Sequence, residues 1–217
     1  MTETMTGFTL LELFNLGGIF MWPLLVFSVI AVAITLERAI YLMYHNLRLD
    51  DLKEKVEDGI QNNKLDEAAQ YLQSKIKRRM GARILLGLVK RAGHSEQRME
   101  KAVEAEALSC ISSLENGFNF LTALGSISPL TGFLGTVTGM IGAFRSIAEA
   151  ADVNAQIVAE GIYEALITTV FGLVIAIVAM SAHSVFTHIV DKFSSEVEVA
   201  CSDLIIKISE SGISKSA

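Results

Sequence analysis

Three long runs of the sequence carry no charged side chain, and they restrict the chain to few architectures. They cover residues 13–36, 116–144 and 165–190. A helix of about 20 apolar residues crosses the roughly 30 Å hydrocarbon layer of a bilayer. No water is available there to bond with backbone groups, so a spanning segment must be a helix or belong to a closed barrel. With 51% hydrophobic residues and only two prolines, the sequence predicts an all-α integral membrane protein with three transmembrane helices.

The basic residues predict how the chain is oriented. Thirteen lysines and arginines lie between residues 48 and 101, and residues 1–36 contain none. Because loops rich in Lys and Arg stay in the cytoplasm, we expect a periplasmic N-terminus and a cytoplasmic C-terminus. The predicted order is the N-terminus with the first transmembrane helix (1–44), a cytoplasmic helical region (45–115), the second transmembrane helix (116–148), a periplasmic linker (149–160), the third transmembrane helix (161–190) and a cytoplasmic C-terminal helix and tail (191–217).

Two of the transmembrane helices are expected to have long cytoplasmic extensions. Apolar residues recur at threes and fours ahead of the second span, and no strong stop signal separates them from it. The pattern predicts one helix over residues 95–148, with Ser95 as its N-cap. After the third span, apolar residues keep helical spacing past Lys192 as far as Ile208, so this helix should also continue into the cytoplasm.

The second span is rich in glycine and threonine. Four glycines recur at helical spacing, with threonines among them: Gly132, Gly135, Gly139, Gly142, Thr131, Thr136 and Thr138. Glycine weakens a helix in water, but in a bilayer small residues let a second helix come close, and the GxxxG pair is the usual form of that contact. We therefore expect these glycines, together with Gly172 of the third span, to serve in helix packing or to line a pore.

The second and third spans together resemble the MotA/TolQ/ExbB proton channel family. The motifs are Pro129-Leu130, then Gly135-Thr136-Val137-x-Gly139-Met140-Ile141 and Phe144 in the second span, and Gly161-Ile162-x-Glu164-Ala165-Leu166, Thr169 and Gly172-Leu173 in the third. Their order and spacing are far more specific than one GxxxG pair. The layout of three spans is similar to the ExbB/TolQ branch.

The resemblance implies a function and a set of partners. It implies a ring-forming subunit, a pentamer in relatives, of a motor in the bacterial inner membrane driven by the proton-motive force. A single-span partner of the ExbD or TolR type would supply an aspartate, and a TonB-like or TolA-like protein could receive the work. It also implies that Glu164, Thr169 and Thr136 line the ion pathway. Whether the motor serves nutrient uptake, envelope maintenance or motility, and whether it carries H⁺ or Na⁺, stays open.

The residues by themselves give each of these positions a second interpretation. On the predicted periplasmic side, Glu164 is the only carboxylate next to the uncharged core of the second or third span, and an acid at the edge of a membrane is a functional candidate. It could instead be an interfacial acid paired with Arg145. The hydroxyls of Thr136 and Thr169 could simply bond to the backbone in a tight helix contact. His183 is expected to be an interfacial histidine rather than a proton carrier.

The third span lacks a titratable side chain in its middle, and this affects the mechanism. About 28 Å of helix, at 1.5 Å per residue, separates Glu164 from His183, and no titratable side chain lies between them. The uncharged run of the second span has none either. A proton carrier in the middle of the membrane must therefore come from another chain.

Other classes of protein fit the sequence less well. A small secondary transporter would be expected to repeat its motif in two halves, and a purely structural membrane anchor would leave the polar faces of the spans unexplained. No nucleophile motif, phosphate loop or metal-ligand cluster suggests an enzyme or a cofactor. The net charge of −6 disfavours nucleic acid as a partner. Cys110 and Cys201 are expected to be free thiols, and the N-terminus does not resemble a cleaved signal peptide.

Overall fold

A computed structural model describes residue 14 and residues 16–149 and 155–211. All regular secondary structure in these residues is helical. The helices are α1 (Met21–Tyr44), α2 (Asp50–Gln61), α3 (Leu65–Lys75), α4 (Met80–Val89), α5 (Glu96–Leu114), α6 (Phe118–Glu149) and α7 (Ala155–Glu210). The predicted N-terminal segment before residue 14, residues 150–154 of the predicted linker (149–160) and the last residues of the tail lie outside the described residues.

Three of these helices are long and apolar enough to cross a membrane. They are α1, α6 and the part of α7 from Gly161 onward, which contain 18-residue stretches with mean hydropathies of 1.9, 1.4 and 2.4. The predicted all-α membrane fold is confirmed. Pro129 lies inside α6 without ending it, which a transmembrane helix tolerates better than a helix in water. The third helix does continue past Lys192, and it ends at Glu210.

The single helix predicted over residues 95–148 is wrong. The chain instead forms α5 and α6, which are separated at Gly117. This glycine has φ of 87°, a left-handed conformation that costs other residues about 1–2 kcal/mol. The carbonyl of Gly117 accepts a bond from the amide of Phe120 at 3.1 Å, so a new helix begins there. α5 does begin after Ser95, but the Ser95 side chain makes no capping bond.

The chain forms two compact units. The membrane unit comprises Met1–Leu36 and Gly117–Ser184, and the helical unit comprises Glu37–Asn116 and Val185–Ala217. The start of α7 falls at Ala155, within the segment predicted to be a periplasmic linker. Each unit has its own set of buried apolar side chains.

In the helical unit, α2 to α5 and the last part of α7 bury their apolar faces. The least exposed large side chains there are Leu52, Leu72, Ile84, Leu85, Leu88, Met99, Leu114, Phe193 and Leu204. Full burial of each stabilises the fold by about 1.5–3 kcal/mol. Salt bridges also join separate parts of the unit: the Lys53 ammonium lies 2.7 Å from Asp203, and that of Lys207 lies 2.7 Å from Glu57.

Arg79 is a buried polar residue that ties α2 to the start of α4. Its guanidinium donates to both carboxylate oxygens of Asp51, at 2.5 and 3.1 Å, and to the carbonyl of Arg48 at 3.0 Å. The hydrogen bond from Arg79 lowers the pKa of Asp51 to about 2.

Candidate functional site

The site lies in the membrane unit, where α6 packs on α7 through glycines. A Cβ placed on Gly132 would come within 2.7 Å of the carbonyl oxygen of Thr168. A Cβ placed on Gly172 would lie 2.5 Å from the carbonyl oxygen of Ser128. These distances are too short for real atoms, so the two backbones approach so closely that neither position has room for a side chain.

The other predicted glycines divide into two kinds. A Cβ on Gly135 would overlap the hydroxyl of Thr168, and one on Gly139 would lie 3.0 Å from the Cβ of Ala165. A Cβ on Gly142 would meet nothing within 4 Å. Gly132, Gly135, Gly139 and Gly172 are therefore at the helix contact, whereas Gly142 borders open space.

Two threonines of α7 bond to one carbonyl of α6. The hydroxyl of Thr169 donates to the carbonyl of Gly132 at 3.0 Å, and that of Thr168 lies 3.3 Å from the same oxygen and 2.8 Å from the carbonyl of Ala165. Thr168 is only 1% exposed. In membranes, hydrogen bonds between helices stabilise a helix contact in addition to the close packing of small residues.

Thr136 is not part of this contact. Its hydroxyl donates to the carbonyl of Phe133, one turn earlier in its own helix, at 2.6 Å, and the side chain is half-buried. The structure thus brings Thr169 to α6 but does not bond Thr136 to Thr169. The sequence-based site omitted Thr168, although its position one helical turn after Glu164 was a signal that it shares that face of α7.

Glu164 lies against a turn that precedes α1. Gly18 in this turn has φ of 64°, and a Cβ placed on it would overlap the Oε1 atom of Glu164. The carboxylate therefore occupies the space that a side chain at position 18 would need. The alternative pairing with Arg145 is wrong, because Arg145 donates to Glu149 at 2.8 Å. Among the described residues, no hydrogen bond or ion pair involves the Glu164 side chain.

An open groove of about 610 Å³ adjoins Glu164. Its lining combines the turn before α1 with residues of α6 and α7: Gly17, Ile19, Phe20, Gly135, Thr138, Gly139, Gly142, Ala143, Ser146, Gly161, Glu164 and Thr168. Among the described residues that line it, the groove has one carboxylate and several hydroxyls but no cationic side chain. It can hold water or a cation beside Glu164.

His183 is packed against an aromatic ring. Its ring centroid lies 5.9 Å from that of Phe118, with the two rings at 70° in an edge-to-face arrangement. Such contacts are typical packing interactions. Among the described residues, no group of three or more His, Cys, Asp or Glu could hold a metal ion.

Comparisons with known proteins show which sequences this chain resembles. Residues 47–199 match the sequence model of the MotA/TolQ/ExbB proton channel family. The ExbB-like 3 protein of Synechocystis sp. is 33% identical over 172 residues, which cover 78% of this chain and 81% of the relative. The ExbB-like 1 protein of the same organism is 32% identical over 179 residues, covering 79% of this chain and 68% of the relative. The Tol-Pal system protein TolQ of Haemophilus influenzae is 46% identical over 74 residues, or 34% of this chain and 32% of TolQ.

Proposed function

Because the chain belongs to the MotA/TolQ/ExbB proton channel family, we propose that it is the ring-forming subunit of an ExbB/TolQ-type motor in the inner membrane. The match over residues 47–199 is the observation that carries this proposal. The motor would take energy from ion flow down the proton-motive force. One charge crossing the full field yields about 2.3 kcal/mol per 100 mV, so a few ions per cycle could drive a rotation or a conformational stroke.

The carrier acid would lie on a second chain. The apolar parts of α6 and α7 hold no titratable side chain between Phe118 and Phe144 or between Glu164 and His183. Hydroxyls can pass a proton along but cannot store a charge in the bilayer. A single-span partner similar to ExbD or TolR, with an aspartate in its membrane helix, would supply the missing group. A TonB-like or TolA-like protein would then receive the work.

Within this motor, we assign Glu164, Thr169 and Thr136 to the ion pathway, and we add Thr168. Glu164 would concentrate cations at the periplasmic end of the groove. The threonine hydroxyls would follow it, with Thr168 and Thr169 fixed by the carbonyl of Gly132. The orientation that we propose, with the N-terminus periplasmic and the C-terminus cytoplasmic, puts Glu164 on the side from which protons enter.

Five copies would form the ring, as in relatives of this type. Large apolar side chains on the outside of α6 support an assembly in the membrane: Phe120, Leu130, Phe133, Ile141 and Phe144 are each more than 60% exposed in the single chain. Lipid or a neighbouring subunit would cover them. In the assembled motor, the subunits would also contact the lipid bilayer and the single-span partner.

Proton uptake into liposomes under an imposed potential tests the proposed pathway. The complex of the chain with its single-span partner is compared with complexes carrying Glu164→Gln or Thr169→Val. Glu149→Gln is the matched control, since Glu149 is an exposed acid at the end of α6 that pairs with Arg145. We expect the first two changes to reduce the flux and the control to preserve it.

Three other results would change this proposal. Equal flux in all variants would remove Glu164 and Thr169 from the pathway. No flux from any well-assembled complex, including one loaded with its TonB-like or TolA-like protein, would favour a structural scaffold. Flux of a solute other than H⁺ or Na⁺ would favour a secondary transporter.

A further inference from the structure

One hydroxyl in α6 differs from all the others in that helix. α6 is described over its full length, and six of its serines and threonines donate to backbone carbonyls of α6 itself: Thr122, Ser126, Thr131, Thr136, Thr138 and Ser146. The seventh, Ser128, has no hydrogen-bond partner for its Oγ atom. The residue is also completely buried, at 0% exposure. A buried hydroxyl without a partner is unfavourable, and more so inside a bilayer.

A second polar group near Ser128 lacks its usual partner. Pro129 has no N–H, so the carbonyl of Gly125, four residues earlier, does not receive its helical hydrogen bond. The Ser128 hydroxyl, three residues after Gly125, does not bond to it either. One turn of α6 thus contains a hydroxyl without a hydrogen-bond partner among the described residues and a carbonyl that lacks its usual helical donor.

The position of Ser128 connects it with the threonines described above. Ser128 is one turn before Gly132 in α6, and its carbonyl oxygen is the atom that crowds Gly172 in α7. Gly172 is in turn one turn after Thr168. Ser128 is therefore the next hydroxyl at the α6–α7 contact beyond the pair that bonds to Gly132.

We propose that Ser128 binds a water molecule between α6 and α7, held by the Ser128 hydroxyl and the carbonyl of Gly125. We further propose that this water extends the ion pathway one helical turn beyond Thr169, an extension that rests on the proposed function. Such a water accepts a proton from one neighbour and donates a different proton to the next. A positive charge is therefore transferred, and the water molecule itself is regenerated.

The chemistry of this place fits water better than a cation. Buried waters bond to two to four polar groups, and the hydroxyl and carbonyl supply two. A sodium ion would need more oxygen ligands and a nearby negative charge, but the charged residues nearest to Ser128 along α6 and its flanks are Glu115 and Arg145. A neutral guest that can both donate and accept is the one that satisfies both groups.

The test uses the complex with the single-span partner and measures proton flux and thermal stability on the same preparation. Ser128→Ala removes the proposed ligand. Ser126→Ala is the matched control, because Ser126 is an exposed serine in the same helix and donates to Thr122 at 3.1 Å. We expect Ser128→Ala to reduce the flux about tenfold, which corresponds to a barrier about 1.4 kcal/mol higher. The Tm should not rise, and Ser126→Ala should preserve the flux.

Several results would overturn the proposal. If the Ser128 site is dry, Ser128→Ala removes an unsatisfied group and should raise the Tm. An unchanged flux, or an equal loss in both serine variants, would place Ser128 outside the pathway. A density map that resolves ordered waters provides a readout independent of flux. A water within hydrogen-bond distance of Ser128 Oγ would support the site even if the wild-type complex conducts nothing, whereas its absence would refute the site without bearing on the proposed function.

Discussion

At the α6–α7 contact, Gly132 and Gly172 are important because they have no side chain. Gly132 and Gly172 let the two backbones touch, and only then can the hydroxyl of Thr169 reach the carbonyl of Gly132. The glycine spacing predicted a close helix contact. It could not indicate which partner each glycine meets, because that depends on the relative rotation of the two helices. For the same reason the sequence did not distinguish Gly142, which faces open space, from the glycines at the helix contact.

Gly172→Ala should lower the stability of the protein. The new Cβ would lie 2.5 Å from the carbonyl oxygen of Ser128, which is backbone and can move only with its helix. Overpacking of this kind costs about 1–3 kcal/mol. Thermal unfolding in detergent measures the effect. Gly142→Ala is the control, since nothing lies within 4 Å of its Cβ position, and an equal loss of Tm in the two variants would contradict the described contact.

Gly18→Ala should reduce proton flux through Glu164. The added methyl group would displace the carboxylate of Glu164, and the left-handed backbone at position 18 would strain alanine by about 1–2 kcal/mol. The measurement is flux in the wild-type and Glu164→Gln backgrounds. If Gly18 acts by positioning the carboxylate, its substitution should have little further effect once the carboxylate is gone. The same fractional loss in both backgrounds would mean that Gly18 only stabilises the fold.

The helices show which features the sequence could predict. Long uncharged runs predicted α1, α6 and α7 because the bilayer imposes the same constraint on every span. The break at Gly117 was missed because a lone glycine in a helical pattern either stays helical or ends the helix. Its φ of 87° depends on the direction in which α6 leaves α5. The spacing of apolar residues within each helix does not determine that direction. The Arg79–Asp51 pair was missed since it joins residues far apart in sequence.

Gly117→Ala should destabilise the junction between α5 and α6. Alanine would be strained at this positive φ, so we expect a loss of about 1–2 kcal/mol in the free energy of unfolding. Thermal or chemical unfolding can detect a change of this size. An unchanged or higher stability would support the single continuous helix that the sequence pattern favoured.

The link between α2 and α4 should depend on pH. The Arg79 guanidinium lowers the folded-state pKa of Asp51 to about 2, below the value of about 3.9 expected in the unfolded chain. The pair therefore contributes its full stability above about pH 4 and loses it as the pH falls toward 2. Since the Asp51 side chain is 58% exposed, we expect less than about 1 kcal/mol.

Asp51→Asn measures this contribution. Helix content followed during unfolding should show a less stable variant at pH 7 and a smaller difference from wild type as the pH is lowered through this range. Asp50→Asn, one residue earlier in the same first turn of α2, is the control without this pair. A loss that does not vary with pH, or that is equal for the two substitutions, would contradict the assignment.

For the whole molecule, the sequence and the structure together describe one subunit of an ExbB/TolQ-type motor. The chain holds an acid beside the turn before α1, threonines fixed at a helix contact and no titratable group in the apolar middle of α6 or α7. Family membership follows from 47–199, while the ring, the partner and the orientation are proposals. The residues of one chain could not predict the ring, because the outside of a transmembrane helix is apolar whether it faces lipid or a neighbouring subunit.

The proposed assembly predicts a defined stoichiometry. Native mass spectrometry of the purified complex should find five copies of this chain together with the single-span partner, as the resemblance implies. A monomer or dimer that binds no partner under conditions that preserve other membrane complexes would contradict the ring.

The most direct test of the central claim compares proton flux into liposomes from the chain alone and from the chain with its single-span partner. We predict no flux from the chain alone and potential-driven flux from the complex, because we propose that the carrier acid lies on the partner. We also predict that replacing the membrane aspartate of the partner abolishes the flux. Flux from the chain alone would contradict the account, since it would require a complete pathway within a subunit that has no acid in the middle of the membrane.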